Sequence, residues 1–524
     1  MYPLLETLFG FDVFMPVVWL FLAAVVCVSI ELGAKDRAGA KLPIFYAALG
    51  GVLLAFVSLF NTWGGAFEPH LILNGGVMID RFGLFLCAGV LIGTALCCFT
   101  SLGAIDRLRI GLGDFLGLVL VAASGMLLLV TSYDLIMIFL SVELMSLAIY
   151  VLAGINRSSG RSAEAAMKYF VMGAFASGFL VLGMALIYGV TQTISLAEIG
   201  DALAAKDNAY RNVAMLGIGM VVIGFAFKVG AVPFHQWVPD VYTGAPTPVT
   251  GFMAVAVKFA AFGALGRFVV EAFPDTLGGE KFSPFGMGMF WAIAALSMVI
   301  GNWLAVTQEN VKRMLAYSSI AHSGYLLMGI VAMQAYPDSL GSSDAMSAIL
   351  FYLLVYAFGT GGAFALLTWT ATDSNEDGGD LRGLAKRSPG MALAMSIFML
   401  SLAGIPLTGG FIGKYMLFSS AIEAGEIWLA VIGILASIVG AFYYLRVIVL
   451  MYMKDPTPGE AEAKNADDWG VRFALLTASI ATVVLGLMPN PFVARAENAS
   501  VTISAPQQPA PVLNAAIPAA PSRS

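Results

Sequence analysis

Charge is scarce in this chain. Asp, Glu, Lys and Arg make up 11% of its 524 residues, where soluble domains carry about 25%. Together with a hydrophobic content of 59%, that excludes a globular protein in water. The net charge of -6 comes with no basic stripe suited to nucleic acid. Cysteine is rare as well. Cys27, Cys87, Cys97 and Cys98 form no CxxC pair and no zinc or iron–sulfur spacing, which favours small apolar packing over a metal or redox centre. Three histidines are too few for a chain that carries haem or copper. The leader Met1–Gly10 holds one acid, Glu6, and no basic residue, so it lacks the charged start of a signal peptide. The first apolar stretch therefore reads as a retained helix, with no transit peptide, which favours a bacterial inner membrane.

Long apolar runs are what the chain has in abundance. A helix needs about 20 apolar residues to cross a hydrocarbon core roughly 30 Å thick. Fourteen such spans fit, making an all-α polytopic membrane protein: 11–32, 43–61, 82–103, 113–131, 134–155, 163–190, 211–240, 247–272, 285–306, 310–334, 344–371, 391–424, 427–453 and 470–489. Residues after Pro491 are rich in Ala, Pro, Ser and Gln and read as a disordered tail, 491–524. Loops after odd-numbered spans carry Lys35, Arg37, Lys41, Arg107, Arg109, Arg157, Arg161, Lys312, Arg313, Arg382, Lys386, Arg387, Lys454, Lys464 and Arg472. The opposite side carries about half as many: Arg81, Lys206, Arg211, Arg267, Lys281, Arg495 and Arg523. By the positive-inside rule both termini lie outside.

Two spans are longer than a straight crossing and hold breakers, Lys228-Val-Gly-Ala-Val-Pro233 in the seventh and Gly404-Ile-Pro406-Leu-Thr-Gly409-Gly410 in the twelfth. Proline removes a helix hydrogen bond, and freed backbone groups at membrane depth are tolerated only against protein or water. Interrupted helices at matching positions of two halves point to a transport path. Five spans separate these two, which implies two five-helix repeats of inverted topology, 113–272 and 273–455. A three-helix segment, 1–112, precedes them, and a last helix lies in 456–490.

Few charges remain inside the spans. They are Glu143 (span five), Lys168 (six), Lys228 (seven), Lys258 (eight), Lys414 (twelve) and Arg446 (thirteen), with His322 in span ten. A charge at the bilayer centre costs roughly 3 kcal/mol on insertion scales, so these side chains are paired, watered or functional. Glu143 can neutralise one lysine, and the surplus lysines are poised to release a proton, as a relay group must. Their similar depth points to a path along the membrane plane. Lys168 lies close to a helix end, where it can snorkel with Glu164 as a partner. His322 reads equally as a hydrogen-bonded structural histidine or a relay. His235 reads first as fixing its loop or half-helix and second as a relay, Arg446 can be structural, and His70, in an outer loop, receives no role.

Three strings are specific. FKVGAVPFHQWVPDVYTGAPTPVT (Phe227–Thr250), VKRMLAYSSIAHSGY (Val311–Tyr325) and SLAGIPLTGGFIGK (Ser401–Lys414) resemble the antiporter-like subunits of respiratory complex I, NADH–quinone oxidoreductase, over roughly residues 80–490. The family has three paralogous types, L, M and N. A lysine at Lys414 departs from the M type, the chain lacks the L type's long lateral helix, and the pattern with Lys258 resembles the N type. The resemblance implies a proton-translocating subunit among other membrane-arm subunits, one of them a paralogous antiporter-like chain. It implies no cofactor on this chain, with FMN, iron–sulfur clusters and quinone handled by other subunits. It further implies that Glu143 and Lys228 form a coupling ion pair, Lys168 and Lys258 connect the relay, and Lys414 faces the outer exit. The rival readings are a subunit of a multi-subunit sodium/proton antiporter or membrane-bound hydrogenase, and a non-transporting scaffold.

Overall fold

The computed structural model describes residues 11–64, 69–108, 110–204, 208–272, 284–335, 339–371, 381–456 and 468–503. Among these residues thirteen helices are long and apolar enough to cross a membrane. The chain opens with a helical pair, α1 (Phe11–Gly33) and α2 (Arg37–Gly64). A short antiparallel hairpin follows, β1 (His70–Ile72) and β2 (Val77–Ile79), with Leu71 opposite Met78. Then come α3 (Arg81–Leu108), α4 (Leu112–Thr131), α5 (Leu135–Ala153) and α6 (Gly160–Thr191). A short α7 (Leu196–Ala204) leads to α8 (Asn208–Val229), the half-helix α9 (Trp237–Gly244) and α10 (Thr247–Ala272). The second half holds α11 (Pro284–Val306), α12 (Val311–Ala335), α13 (Ser339–Thr370), a single turn α14 (Leu384–Arg387), α15 (Pro389–Ala403), α16 (Gly409–Glu423), α17 (Ile427–Met453), α18 (Trp469–Leu487) and α19 (Asn490–Thr502).

Burial sorts these helices into layers. The most apolar windows of α10 and α12 are each 94% buried, whereas those of α1 and α6 are 28% and 33% buried. Helices α10 and α12 are therefore the interior of the bundle, and α1 and α6 present apolar side chains outward. Lipid tails are as apolar as leucine, so close approach rather than the hydrophobic effect holds membrane helices together. Gly324 of α12 shows this: a Cβ there would lie 2.7 Å from the backbone nitrogen of Met298 in α11.

Both interrupted spans are broken where the sequence places the prolines. Helix α8 ends at Val229, Gly230 takes a left-handed φ of 71°, and the chain restarts as α9. The freed amide of Val232 donates to Ser297 Oγ at 2.9 Å, and the freed carbonyl of Phe227 accepts from Trp237 Nε1 at 3.0 Å. Helix α15 ends at Ala403, capped by Gly404 at φ 83°, and α16 begins five residues further on. At the first break the released backbone groups are met by protein, as membrane depth requires, whereas Ile405 and Leu407 of the second are exposed on the surface of this chain.

Several expectations need correction. Residues 491–524 were expected to be disordered, but Asn490–Thr502 form α19, which buries Ala496, Ala499 and Ser500 against α3 and α13. Small residues three and four apart give this alanine-rich stretch one face that fits a groove. Residues 504–524 lie outside the described residues, as do Arg109, Lys206, Lys281, Lys464 and Arg523 of the charge count. Helices α2 and α3 run beyond their apolar spans, because hydropathy marks only the hydrocarbon depth. Arg267, read as a loop charge, is 1% exposed inside α10. It forms a two-pronged ion pair with Asp80, at 2.7 and 2.9 Å. Lys312, also read as a loop charge, is buried and donates to the carbonyls of Thr243 and Ala245 at 3.2 and 2.7 Å.

Candidate functional site

The interior helices carry a row of polar side chains. It starts on α5, where Glu143 accepts a hydrogen bond from Ser177 of α6. One turn further along α5, Ser146 accepts from Lys228 Nζ at 2.7 Å, and Tyr150 lies 3.4 Å from the same ammonium. Lys228 occupies the last turn of α8, just before the break, and is 5% exposed. Among the described residues Glu143 and Lys228 do not touch as the expected ion pair. Residues three and four apart share a helix face, so Glu143, Ser146 and Tyr150 line one side of α5, and Lys228 meets that side one turn from Glu143.

Lys258 comes next. It is 2% exposed in the middle of α10, with its ammonium donating to the carbonyl of Ser319 at 2.7 Å and to Ser323 Oγ. Ser323 donates to the carbonyl of Val229 at 2.6 Å, and that carbonyl belongs to the residue after Lys228. One serine thus joins the Lys258 ammonium to the broken end of the helix that carries Lys228. Tyr356 of α13 donates to Ser319 Oγ at 3.1 Å and lays its ring 5.2 Å from the Lys258 ammonium.

His322, one turn from Ser319, lies in the row and has both ring nitrogens occupied. Nδ1 meets the Tyr352 hydroxyl at 2.5 Å, and Nε2 meets the Tyr444 hydroxyl at 2.9 Å. Tyr444 in turn meets Ser318. Lys414, on α16 beyond the second break, donates to the carbonyls of Leu402 and Ala403 at 3.0 and 3.1 Å, and to Ser437 Oγ at 2.8 Å. The last carbonyls of a helix have no intrahelical partner and carry its negative dipole end. The break in the twelfth span therefore supplies the acceptors that hold this ammonium. Gly410 lets the two half-helices meet, since a Cβ there would lie 1.7 Å from the Ser401 carbonyl oxygen.

Lys168 does not join the row. It sits near the start of α6, half-exposed, between Glu164 and Asp240, each at 2.7 Å. Asp240 of α9 also binds Arg313 of α12 at 2.8 Å. The snorkelling partner Glu164 is where helix spacing puts it, and Asp240 is a partner the sequence reading missed. Arg446 donates to the carbonyls of Val306 and Gln308, closing the end of α11 as a structural cap. His235 lies in the irregular segment between α8 and α9, with Nδ1 buried and unpaired among the described residues. All four cysteines are buried free thiols, on α1 and α3.

The reading by charge alone also missed the neutral members, Ser146, Tyr150, Ser319, Ser323, Tyr352, Tyr356, Ser437 and Tyr444. A signal for some of them was present. Ser319, His322 and Ser323 recur at helical spacing in a span that should otherwise be apolar.

Over residues 132–440 the chain matches the family described as NADH:quinone oxidoreductase/Mrp antiporter, TM. The NADH-quinone oxidoreductase subunit N of Trichlorobacter lovleyi is 41% identical over 452 residues, which are 85% of this chain and 88% of that protein. A chain of respiratory complex I from Thermus thermophilus with bound aureothin superposes with a TM-score of 0.73 at 33% identity, covering 91% of this chain and 98% of its own. A chain of the Mrp complex from Dietzia sp. DQ12-45-1b shares the fold, with a TM-score of 0.78 at 23% identity over 94% of this chain and 97% of its own.

Proposed function

The chain belongs to the NADH:quinone oxidoreductase/Mrp antiporter transmembrane family, and from that premise we propose that its buried lysine row carries protons. It is an antiporter-like membrane subunit of a proton-translocating NADH-quinone oxidoreductase of a bacterial inner membrane, working beside other membrane-arm subunits. In this reading FMN, the iron–sulfur clusters and quinone belong to other subunits, and redox energy reaches this one through its neighbours. Both termini face the outside, as the charge bias requires. Removing the buried Arg267 from the outer count and the buried Lys312 from the inner one leaves the bias in the same direction. Counting α15 and α16 as one interrupted crossing supports a reading of fourteen spans, in which two five-helix repeats would each hold one break.

The observation that carries the proposal is the bonded chain from Lys258 through Ser323 to the Val229 carbonyl, which ends one residue after Lys228, whose own ammonium turns to Ser146 and Tyr150. The stroke begins when the environment of Glu143 and Lys228 changes and Lys228 gives up its proton. The proton passes towards Lys258 and then, along the hydroxyls and imidazole around His322, to Lys414 and the outer exit. Water fills the intervals between these groups, and the inner side reloads the row.

The ion is tested on the intact complex in sealed vesicles, with NADH as donor and a quinone as acceptor. The proposal expects NADH-driven acidification of the lumen that is unchanged when sodium is replaced by choline. Acidification that requires sodium, or sodium uptake in its place, would transfer the chain to the sodium/proton reading.

A further inference from the structure

We infer that a single zwitterionic amine phospholipid from the surrounding bilayer is bound in a groove over α4, flanked by α1 and α5, whose lining includes none of the residues of the lysine row. A cavity of about 1130 Å³ opens there, larger than the roughly 300–1,000 Å³ of small-molecule pockets. Its walls are apolar along their length, with Phe21, Val25 and Val28 on α1, Leu118 and Val121 on α4, and Val151 on α5. Its mouth is polar, formed where α3 and α5 end and α4 begins, and carries Arg107, Arg157 and Asp114. From Gly111 at the mouth to Val121 at the floor is ten residues, about 15 Å at the helical rise of 1.5 Å per residue. That is one leaflet of a hydrocarbon core roughly 30 Å thick. The groove thus has the depth of one acyl layer, with its charges at headgroup level.

The signs of the charges choose the headgroup. Arg157 is exposed at the mouth and makes no ion pair among the described residues, and a guanidinium matches phosphate geometry. Arg107 donates from Nη2 to the carbonyl of Thr368 at 2.6 Å, which fixes its position at the mouth. A purely anionic lipid would meet Asp114, exposed in the first turn of α4, as a like charge. A phosphate with a tethered primary ammonium satisfies both signs, the phosphate on Arg157 and the ammonium on Asp114. Two outward side chains of the wall, Phe21 and Val25, are 53% and 50% exposed, so the acyl chain enters sideways from the bilayer.

The test uses the intact complex reconstituted with trace phosphatidylethanolamine or phosphatidylglycerol, each carrying a diazirine in its acyl chain. After irradiation, cross-linked peptides are mapped by mass spectrometry. The wild type is expected to cross-link phosphatidylethanolamine at residues 21–28 and 117–121 in preference to phosphatidylglycerol. Arg157→Gln should lower that labelling about tenfold, the loss of one charge-assisted hydrogen bond. Asp114→Asn should reverse the headgroup preference. An unchanged NADH–quinone reductase rate in both variants establishes that they are folded and assembled. Equal labelling by the two lipids, unaffected by either substitution, would mean annular lipid only and overturn the site. Labelling of a neighbouring subunit in place of these residues would mean that protein covers the groove, and would overturn it equally.

Discussion

The lysines of the interior row are held by neutral acceptors. Lys258 rests on a carbonyl and a serine hydroxyl, and Lys414 on two carbonyls and a serine hydroxyl. An ammonium paired to a buried carboxylate leaves that carboxylate uncompensated when its proton departs, at a cost of several kcal/mol. Carbonyls and hydroxyls carry no net charge, so either protonation state of the lysine is tolerated. The charged residues of this row were legible in the sequence because a charge within an apolar span stands out. The hydroxyls were not, because serine and tyrosine are common in membrane helices and only the packing shows which of them face a lysine. Ser323 is the most consequential of these, since it touches both Lys258 and the Val229 carbonyl. Ser323→Ala removes one hydrogen bond to a charged group, worth roughly 1.5–3 kcal/mol, or about tenfold or more in a rate that depends on it. NADH-driven acidification should fall by that factor in complexes that still assemble. Acidification at the wild-type rate would remove Ser323 from the path.

At the scale of elements, the two breaks turn a helix defect into a binding device. In each, glycine and proline end a helix at membrane depth, and a lysine lies at the broken end. Lys228 precedes its break, whereas Lys414 follows its own and reaches back to the carbonyls that the break exposes. The breaks were legible because proline and glycine act locally. Helix α19 was not, because its composition resembles a disordered tail and its order comes from contacts with α3 and α13. The Asp80–Arg267 pair was hidden for a similar reason, since its partners are 187 residues apart. The second break depends on Gly410, where a side chain would meet the Ser401 carbonyl oxygen. Gly410→Ala should therefore shift α16 away from α15, at a cost of about 1–3 kcal/mol. A lower thermal midpoint of the solubilised complex, with reduced acidification, is the expected outcome. An unchanged midpoint would show that the half-helices do not need this approach.

At the scale of the whole molecule, α10 and α12 form a buried axis, and the polar row crosses the bundle along it. Glu143 and Lys228 lie at one end, on α5 and α8. Lys258 and His322 occupy the axis, and Lys414 lies at the other end on α16. Family membership and helix order were readable because hydropathy and three long strings carry them. Which buried groups touch was not, because rotation about a helix axis leaves no mark in a single sequence. The expected Glu143–Lys228 contact illustrates this: the two residues share a helix neighbour, Ser146, without meeting directly. The central claim is that this row transmits protons in step with quinone reduction. Its most direct test is Lys228→Ala in the assembled complex, with NADH–quinone reductase rate and NADH-driven acidification recorded together. The account predicts normal assembly with both activities reduced by roughly 10²-fold, the lower end of what a positioned proton-transfer group contributes. Both activities at wild-type level in that assembled variant would contradict it.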